Sequence, residues 1–236
     1  MITIRKSNDR GYADRGWLRS HATFSFGGYH DPNFMGFRAL RVLNEDRIAP
    51  GKGFGPHSHR DMEILTYMVE GKLAHRDSLS GSHVLGRNEL QAMTAGDGIV
   101  HSEFNASDTE PSHSIQIWID PVAEDLAPSY QQVAFAPDEK RGRLHLLAGP
   151  ESSDLSRTAV IRQQALVYVA EVGRGDRVTH TLAPGRHAWV QVVRGHVEVN
   201  AEALSEGDGA AISDERELIV SGAGGDGGEI LLFDLA

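Results

Sequence analysis

A short turn is written twice in this chain, and that repetition limits what the chain can fold into. Met68-Val-Glu-Gly71-Lys-Leu returns in form as Val192-Val-Arg-Gly195-His-Val, and Ala95-Gly-Asp-Gly98-Ile-Val-His-Ser-Glu103 as Glu206-Gly-Asp-Gly209-Ala-Ala-Ile-Ser-Asp214. Such pairing marks duplicated units. The segments around the turns are β-biased: residues 37–44 alternate on an apolar background, and Gln91–Met93, Ile99–Phe104 and Ser114–Ile119 are further strand candidates. Ile64–Ala74, broken at Glu70-Gly71, reads as a hairpin, and Leu79–Asn88 as a glycine-containing loop. Only Val122–Ala127 and Asp154–Arg157 suggest short helices. Many short strands separated by turn signals predict an all-β fold, here two tandem β-barrels over residues 1–135 and 140–236.

Gly71 and Gly96 are 25 residues apart and Gly195 and Gly207 are 12 apart, so the first copy carries an excess of 13, assigned to the loop at 76–88. Aligned on the glycines, Thr181 stands opposite His57, Ala183 opposite His59, Ile212 opposite His101 and Asp214 opposite Glu103. The second copy therefore lacks all three histidines, which makes it an internal control for what they do in the first.

The pattern at those positions is chemical. Successive strand residues point to opposite faces, so His57 and His59 project together, as do His101 and Glu103. Three imidazoles and a carboxylate, without a thiolate, suit a first-row transition metal. Glu63 shares the strand parity of His57 and His59 and competes with Glu103 for the fourth position. Among the 12 histidines, His180, His187 and His196 have no His-x-His or His-x-Glu partner and read as ordinary surface or partly buried residues, as do His75, His83 and His113. The aromatic and glycine-rich run Trp17–Phe37 reads as an irregular segment wrapping over the barrel, its rings either packed beneath a loop or lining a pocket for a flat substrate.

Composition removes several function classes. A formal charge of −10 with scattered Lys and Arg argues against direct binding to a phosphate backbone. The absence of cysteine excludes disulfides, thiolate nucleophiles and cysteine zinc sites. The N-terminus lacks the apolar core of a signal peptide, and no run approaches the ~20 apolar residues of a membrane span, so a soluble cytoplasmic protein is expected.

The wording around the histidines also resembles a known family. Gly51-x5-His57-x-His59-x3-Glu63 is similar to the first cupin motif and Gly98-x2-His101-x3-Asn105 to the second. His59-Arg-Asp-Met-Glu63-Ile-Leu-Thr-Tyr-Met-Val-Glu-Gly71, Ala74-His-Arg-Asp77 and Met93-Thr-Ala-Gly-Asp-Gly-Ile-Val-His101-Ser-Glu103 resemble the pirin family of bicupins, strongest from Trp17 to Pro121. Seven residues, not six, separate Glu63 from Gly71, and Gly96 stands where the second cupin motif usually has proline; both departures are pirin-like.

The resemblance implies two tandem cupin (jelly-roll-like) barrels, with a divalent metal held by His57, His59, His101 and Glu103 in the first. Fe(II) is expected first, with Zn, Mn, Ni, Co and Cu admitted by the same donors. It further implies quercetin 2,3-dioxygenase activity, the oxygenative cleavage of a flavonol with loss of carbon monoxide; Glu103, a carboxylate able to act as ligand and base at once, is the candidate to take the hydroxyl proton, and Glu63 is expected to hydrogen-bond a ligand or a nearby backbone amide. The rival from another class is a metal-dependent regulatory protein that binds a protein partner. A third reading is a cupin enzyme for another small aromatic.

Overall fold

The computed structural model describes residues 1–150 and 157–236. Its strands, in chain order, are β1 (Ile2–Arg5), β2 (Gly11–Asp14), β3 (Leu18–Ala22), β4 (Leu40–Ile48), β5 (Gly53–His59), β6 (Glu63–Glu70) and β7 (Lys72–Asp77). There follow β8 (Gly81–Gly86), β9 (Glu89–Thr94), β10 (Ile99–Asn105), β11 (Ser112–Ile119), β12 (Ser129–Ala134), β13 (His145–Gly149) and β14 (Ala159–Val160). The last are β15 (Ala165–Val172), β16 (Arg177–Thr181), β17 (His187–Val199), β18 (Glu202–Ser205), β19 (Gly209–Ile212) and β20 (Glu217–Leu235). Single 3-10 turns at Ser7–Asp9 and Pro137–Glu139 are the only helical elements among the described residues.

The chain forms two compact units, one of residues 11–135 with 150 and 157–163, the other of 1–10, 136–149 and 164–236. The expected boundaries, 1–135 and 140–236, are corrected at both ends. Residues 1–10 join the C-terminal unit because β1 adds to β19, Ile2 opposite Ile212, and because Asp208 accepts hydrogen bonds from Ser7 N at 2.7 Å and Lys6 Nζ at 3.0 Å. Residues 157–163 join the N-terminal unit: the Gln131 amide bridges both backbone groups of Val160, and Val122 N donates to Arg162 O at 2.8 Å. Nothing local in the sequence marks either long-range attachment.

The N-terminal unit has two sheets, β5-β10-β7-β8 and β12-β9-β6-β11-β4-β3-β2, open rather than closed into a barrel. Glu70-Gly71 is therefore not a hairpin turn. β6 pairs with β9 and β11, while β7 pairs with β8 and β10, so Gly71 (φ +74) carries the chain from one sheet to the other. A Cβ there would meet Pro111 O at 2.8 Å, which is why glycine is required. The stretch Leu79–Asn88 is not a loop either, since it contains β8, hydrogen-bonded to β7. Val122–Ala127 forms no helix; Asp154–Ser156 of the second expected helix lie outside the described residues. Leu18, Ile48, Met68, Leu73 and Leu85 form one apolar cluster, and Ile64, Met93, Ala95 and Ile99 another, against Met62 and Trp118.

In the C-terminal unit two long strands, β17 and β20, each run on where the N-terminal unit breaks into β6–β7 and β10–β11. Their registers correct the glycine alignment. The turn at Gly207 leads into β19, which pairs with β17 as β9 pairs with β6, whereas the start of β20 pairs with β16 as β10 pairs with β5. Leu218 lies opposite His180 as His101 lies opposite His57, so His180 holds the place of His57, Leu218 that of His101 and Val220 that of Glu103. Gly-x-Gly chemistry recurs wherever a tight turn needs a positive φ, and it does not identify equivalent turns. The second copy thus keeps one histidine, His180, tied to Asp234 at 2.8 Å.

Candidate metal centre

β10 alternates cleanly, with Ile99, His101, Glu103 and Asn105 buried and Val100 and Phe104 exposed. Beside it, β5 sets His59 opposite Ile99 and His57 opposite His101. The three rings converge: centroids are 4.4 Å apart for His57 and His101, and 4.8 Å apart for His57–His59 and His59–His101. One nitrogen from each lies within 4.8 Å of the others. His57 Nδ1 is 2.9 Å from Gly55 O, a carbonyl that only accepts, so Nδ1 donates there and Nε2 is the nitrogen left for a ligand. His101 is buried, and its Nε2 has no hydrogen-bond partner among the described residues.

Burial, with His57 beside it, lowers His59 to about 4. Burial and then His57, His59 and His75 lower His101 to about 3. Both are neutral at pH 7, with lone pairs free for a cation. A buried, orphaned nitrogen of a neutral imidazole is costly in isolation, and a divalent ion would satisfy it. The donor set fits the metal.

Glu103 is carried in by the same strand, but a bulge between His101 and Glu103 interrupts the pairing with β5. Its carboxylate groups with His101 and His75, not with His57 and His59. Gln116 Nε2 donates to Glu103 Oε2 at 3.1 Å; the Thr66 hydroxyl, with one proton to give, lies 3.1 Å from Gln116 Oε1 and 3.4 Å from Glu103 Oε1. Burial first, then Asp46, raises Glu103 to about 7 against the opposing hydrogen bonds from Thr66 and Gln116. Asp46 is itself raised to about 6, chiefly by burial.

Glu63 stands apart. Strand parity with His57 and His59 fails because the chain turns at Asp61 (φ +48) and Glu63 opens β6, in the other sheet. Its Oε2 accepts from Thr94 Oγ1 at 2.9 Å, and burial raises its pKa against the pull of Arg162 and Thr94. The residue that sequence reasoning missed is His75, fully buried against His101. The signal was available: His75-x-Asp77 has the same period-2 spacing as His57-x-His59 and His101-x-Glu103.

A cavity of about 340 Å³ is lined by Phe26, Tyr29, Met35, Met62 and Trp118, among others. Trp118 stands edge-to-face with both His59, centroids 4.9 Å apart, and Phe26, at 5.3 Å. Within the aromatic run, Phe24 is buried, while Phe26 and Tyr29 line the cavity.

The family model described as Pirin matches residues 3–119, and the one described as Quercetinase C-terminal cupin domain matches 146–235. A protein named quercetin 2,3-dioxygenase from Escherichia coli K12 is 45% identical over 235 residues, covering 100% of this chain and 99% of the relative. The chain belongs to the pirin family. A pirin-like protein from Caulobacter vibrioides is 39% identical over the whole of both chains. The crystal structure of the bacterial pirin YhhW from Escherichia coli superposes with a TM-score of 0.94 at 44% identity, covering 100% of this chain and 98% of that one. A second structure of that pirin, in complex with nickel(II), gives 0.91 at 44% identity, covering 100% and 99%. This pirin is accordingly a bicupin of two jelly-roll-like units, with a metal-binding site. Among its described residues no helix is long and apolar enough to cross a membrane.

Proposed function

We propose that this pirin is a metal-dependent quercetin 2,3-dioxygenase, in which His57, His59, His101 and Glu103 hold one divalent ion, Fe(II) first among the candidates. The observation that carries the reading is the orphaned Nε2 of His101, in a cluster of three imidazoles whose member His59 packs against Trp118 in the wall of the cavity. When bound, the ion would supply Lewis acidity that lowers the pKa of a flavonol hydroxyl.

The remaining work falls to the side chains. Phe26, Met62 and Trp118 give the flat ring system an apolar wall and exclude water. Glu103, carried beside His101 on the same strand, takes the proton of the 3-hydroxyl. Gln116 keeps the carboxylate in place through its hydrogen bond to Oε2. Flavonol and O2 are consumed, the heterocycle opens and carbon monoxide leaves. Aerobic incubation of metal-loaded protein with a flavonol panel tests the reading, with substrate loss followed by absorbance and oxygen by electrode. Stoichiometric metal without flavonol loss would favour the regulatory alternative.

A further inference from the structure

Both ring nitrogens of His75 are committed. Its Nε2 lies 2.8 Å from Asp77 Oδ2, and its Nδ1 lies 3.5 Å from His101 Nδ1, the long end of hydrogen-bond range. A carboxylate only accepts, so His75 Nε2 carries the proton and its lone pair sits on Nδ1. Two lone pairs cannot usefully face each other. His101 therefore keeps its proton on Nδ1 and its own lone pair on Nε2, the buried atom without a partner.

We propose that Asp77 and His75 are positioning residues that set the tautomer of His101, so that its Nε2 lone pair is presented to the metal ion. This rests on the reading of His57, His59 and His101 as ligands. A ligating histidine commonly gives its second N–H to a carbonyl or carboxylate that fixes its orientation. His57 does so directly, to Gly55 O; His101 does so through a second imidazole.

The surroundings hold this chain of groups still. Asp77 Oδ1 accepts from Leu79 N at 2.7 Å and Ser80 N at 2.5 Å, and its Oδ2 from Ser80 Oγ at 2.7 Å. The His75 ring stacks on Tyr130, centroids 4.9 Å apart, and Tyr130 on His83 at 4.4 Å. Asp77→Asn then becomes decisive. The two backbone donors keep the amide oxygen at the Oδ1 position, which turns the NH2 towards His75 Nε2. That nitrogen must now accept, the proton moves to His75 Nδ1, and His101 is left to protonate Nε2. An amide behind an imidazole keeps the geometry and inverts the tautomer.

The test is 15N-histidine NMR of the metal-free protein together with Zn(II) affinity by chelator competition, for wild type, Asp77→Asn, His75→Phe and Tyr130→Phe. His101 should be unprotonated at Nε2 in the wild type and protonated there in Asp77→Asn. Zn(II) should bind ~10–100-fold more weakly to Asp77→Asn, the usual cost of losing such a partner, and to His75→Phe, which keeps a ring on Tyr130 but no nitrogen. Tyr130→Phe, which keeps the stacked ring and loses only the hydroxyl that donates to Gln132 Oε1, should match wild type. Wild-type His101 protonated at Nε2, Asp77→Asn binding within about twofold of wild type, or an equal loss in Tyr130→Phe would each overturn the proposal. Should Asp77→Asn not fold, the wild-type spectrum and His75→Phe decide. A wild type that binds no Zn(II) would sink the ligand reading instead, independently of the tautomers seen in metal-free protein.

Discussion

Gly96 precedes the strand that carries His101, and replacing it with alanine perturbs the centre without touching any donor. Its φ is +49, and a Cβ would stand 1.8 Å from Leu126 O and 2.7 Å from Leu126 C, both backbone atoms. The same turn accepts Asp61 N at Gly96 O and gives Asp97 N to Leu126 O, each at 2.9 Å. A left-handed alanine costs about 1 kcal/mol or more, driving the two backbones apart about 1–3 kcal/mol, and a lost backbone hydrogen bond about 0.5–1.5 kcal/mol. The expected cost of Gly96→Ala is thus about 3–5 kcal/mol, a fall in Tm of roughly 10 °C at about 2–4 °C per kcal/mol. Gly55→Ala is the control. It lies on β5 two residues from His57, without a positive φ, and its Cβ would meet nothing within 4 Å, so its effect should stay within about 1 kcal/mol and tend to stabilise. Urea unfolding of the metal-free variants, followed by circular dichroism, reads the difference. Gly96→Ala within 1 kcal/mol of wild type, a margin of about one ordinary surface effect, would refute the reasoning, as would an equal loss in Gly55→Ala.

Three other outcomes are expected. Glu103→Gln should retain most metal but lose ~10²–10⁴-fold in flavonol turnover, while Glu63→Gln should cost no more than ~10–100-fold; rate and metal content in the two variants check this, and the reverse order contradicts the assignment of the base. Trp118→Ala removes an aromatic wall and should raise the KM for quercetin ~10-fold, about the 1.5 kcal/mol of one aromatic contact, with metal content unchanged; an unaltered KM places the substrate elsewhere. At Asp208, burial favours the neutral form, but hydrogen bonds from Ser205 N, Ser7 N and Lys6 outweigh it and hold the pKa below the usual range. Its contribution is present above the unfolded value of about 3.9 and is lost as pH falls through the folded one. Asp208→Asn should therefore cost about 1–2 kcal/mol at neutral pH and progressively less below pH ~4, measured as unfolding free energy across pH; a deficit that grew in acid would be inconsistent with this.

What was legible in the sequence is what strand geometry writes locally. Period-2 spacing placed His57 with His59 and His101 with Glu103, and the apolar runs of β6, β9, β10 and β11 announced themselves. Pairing was not legible, because a turn records only that the chain bends. Gly71 turns between sheets where it reads as a hairpin, Asp61 breaks the parity that had placed Glu63 beside His59, and the turn at Gly207 precedes the counterpart of β9, not that of β10. β1 is docked by residues some two hundred positions away. His75 was passed over although it repeats the spacing of His57-x-His59 and His101-x-Glu103, since a histidine packed beside that cluster and an ordinary core histidine look alike until the third residue, Asp77, is seen at 2.8 Å.

The central claim is that three imidazoles and Glu103 hold an ion that makes this pirin a flavonol dioxygenase. Its most direct measurement is aerobic quercetin turnover, with oxygen uptake, carbon monoxide release and bound metal quantified together, for Fe(II)-loaded wild type and His101→Ala. The account predicts equimolar quercetin and oxygen consumption with carbon monoxide release in the wild type, and loss of both metal and turnover in a folded His101→Ala. Quercetin consumed at the wild-type rate by metal-free His101→Ala, or no consumption by fully loaded wild type, would contradict it.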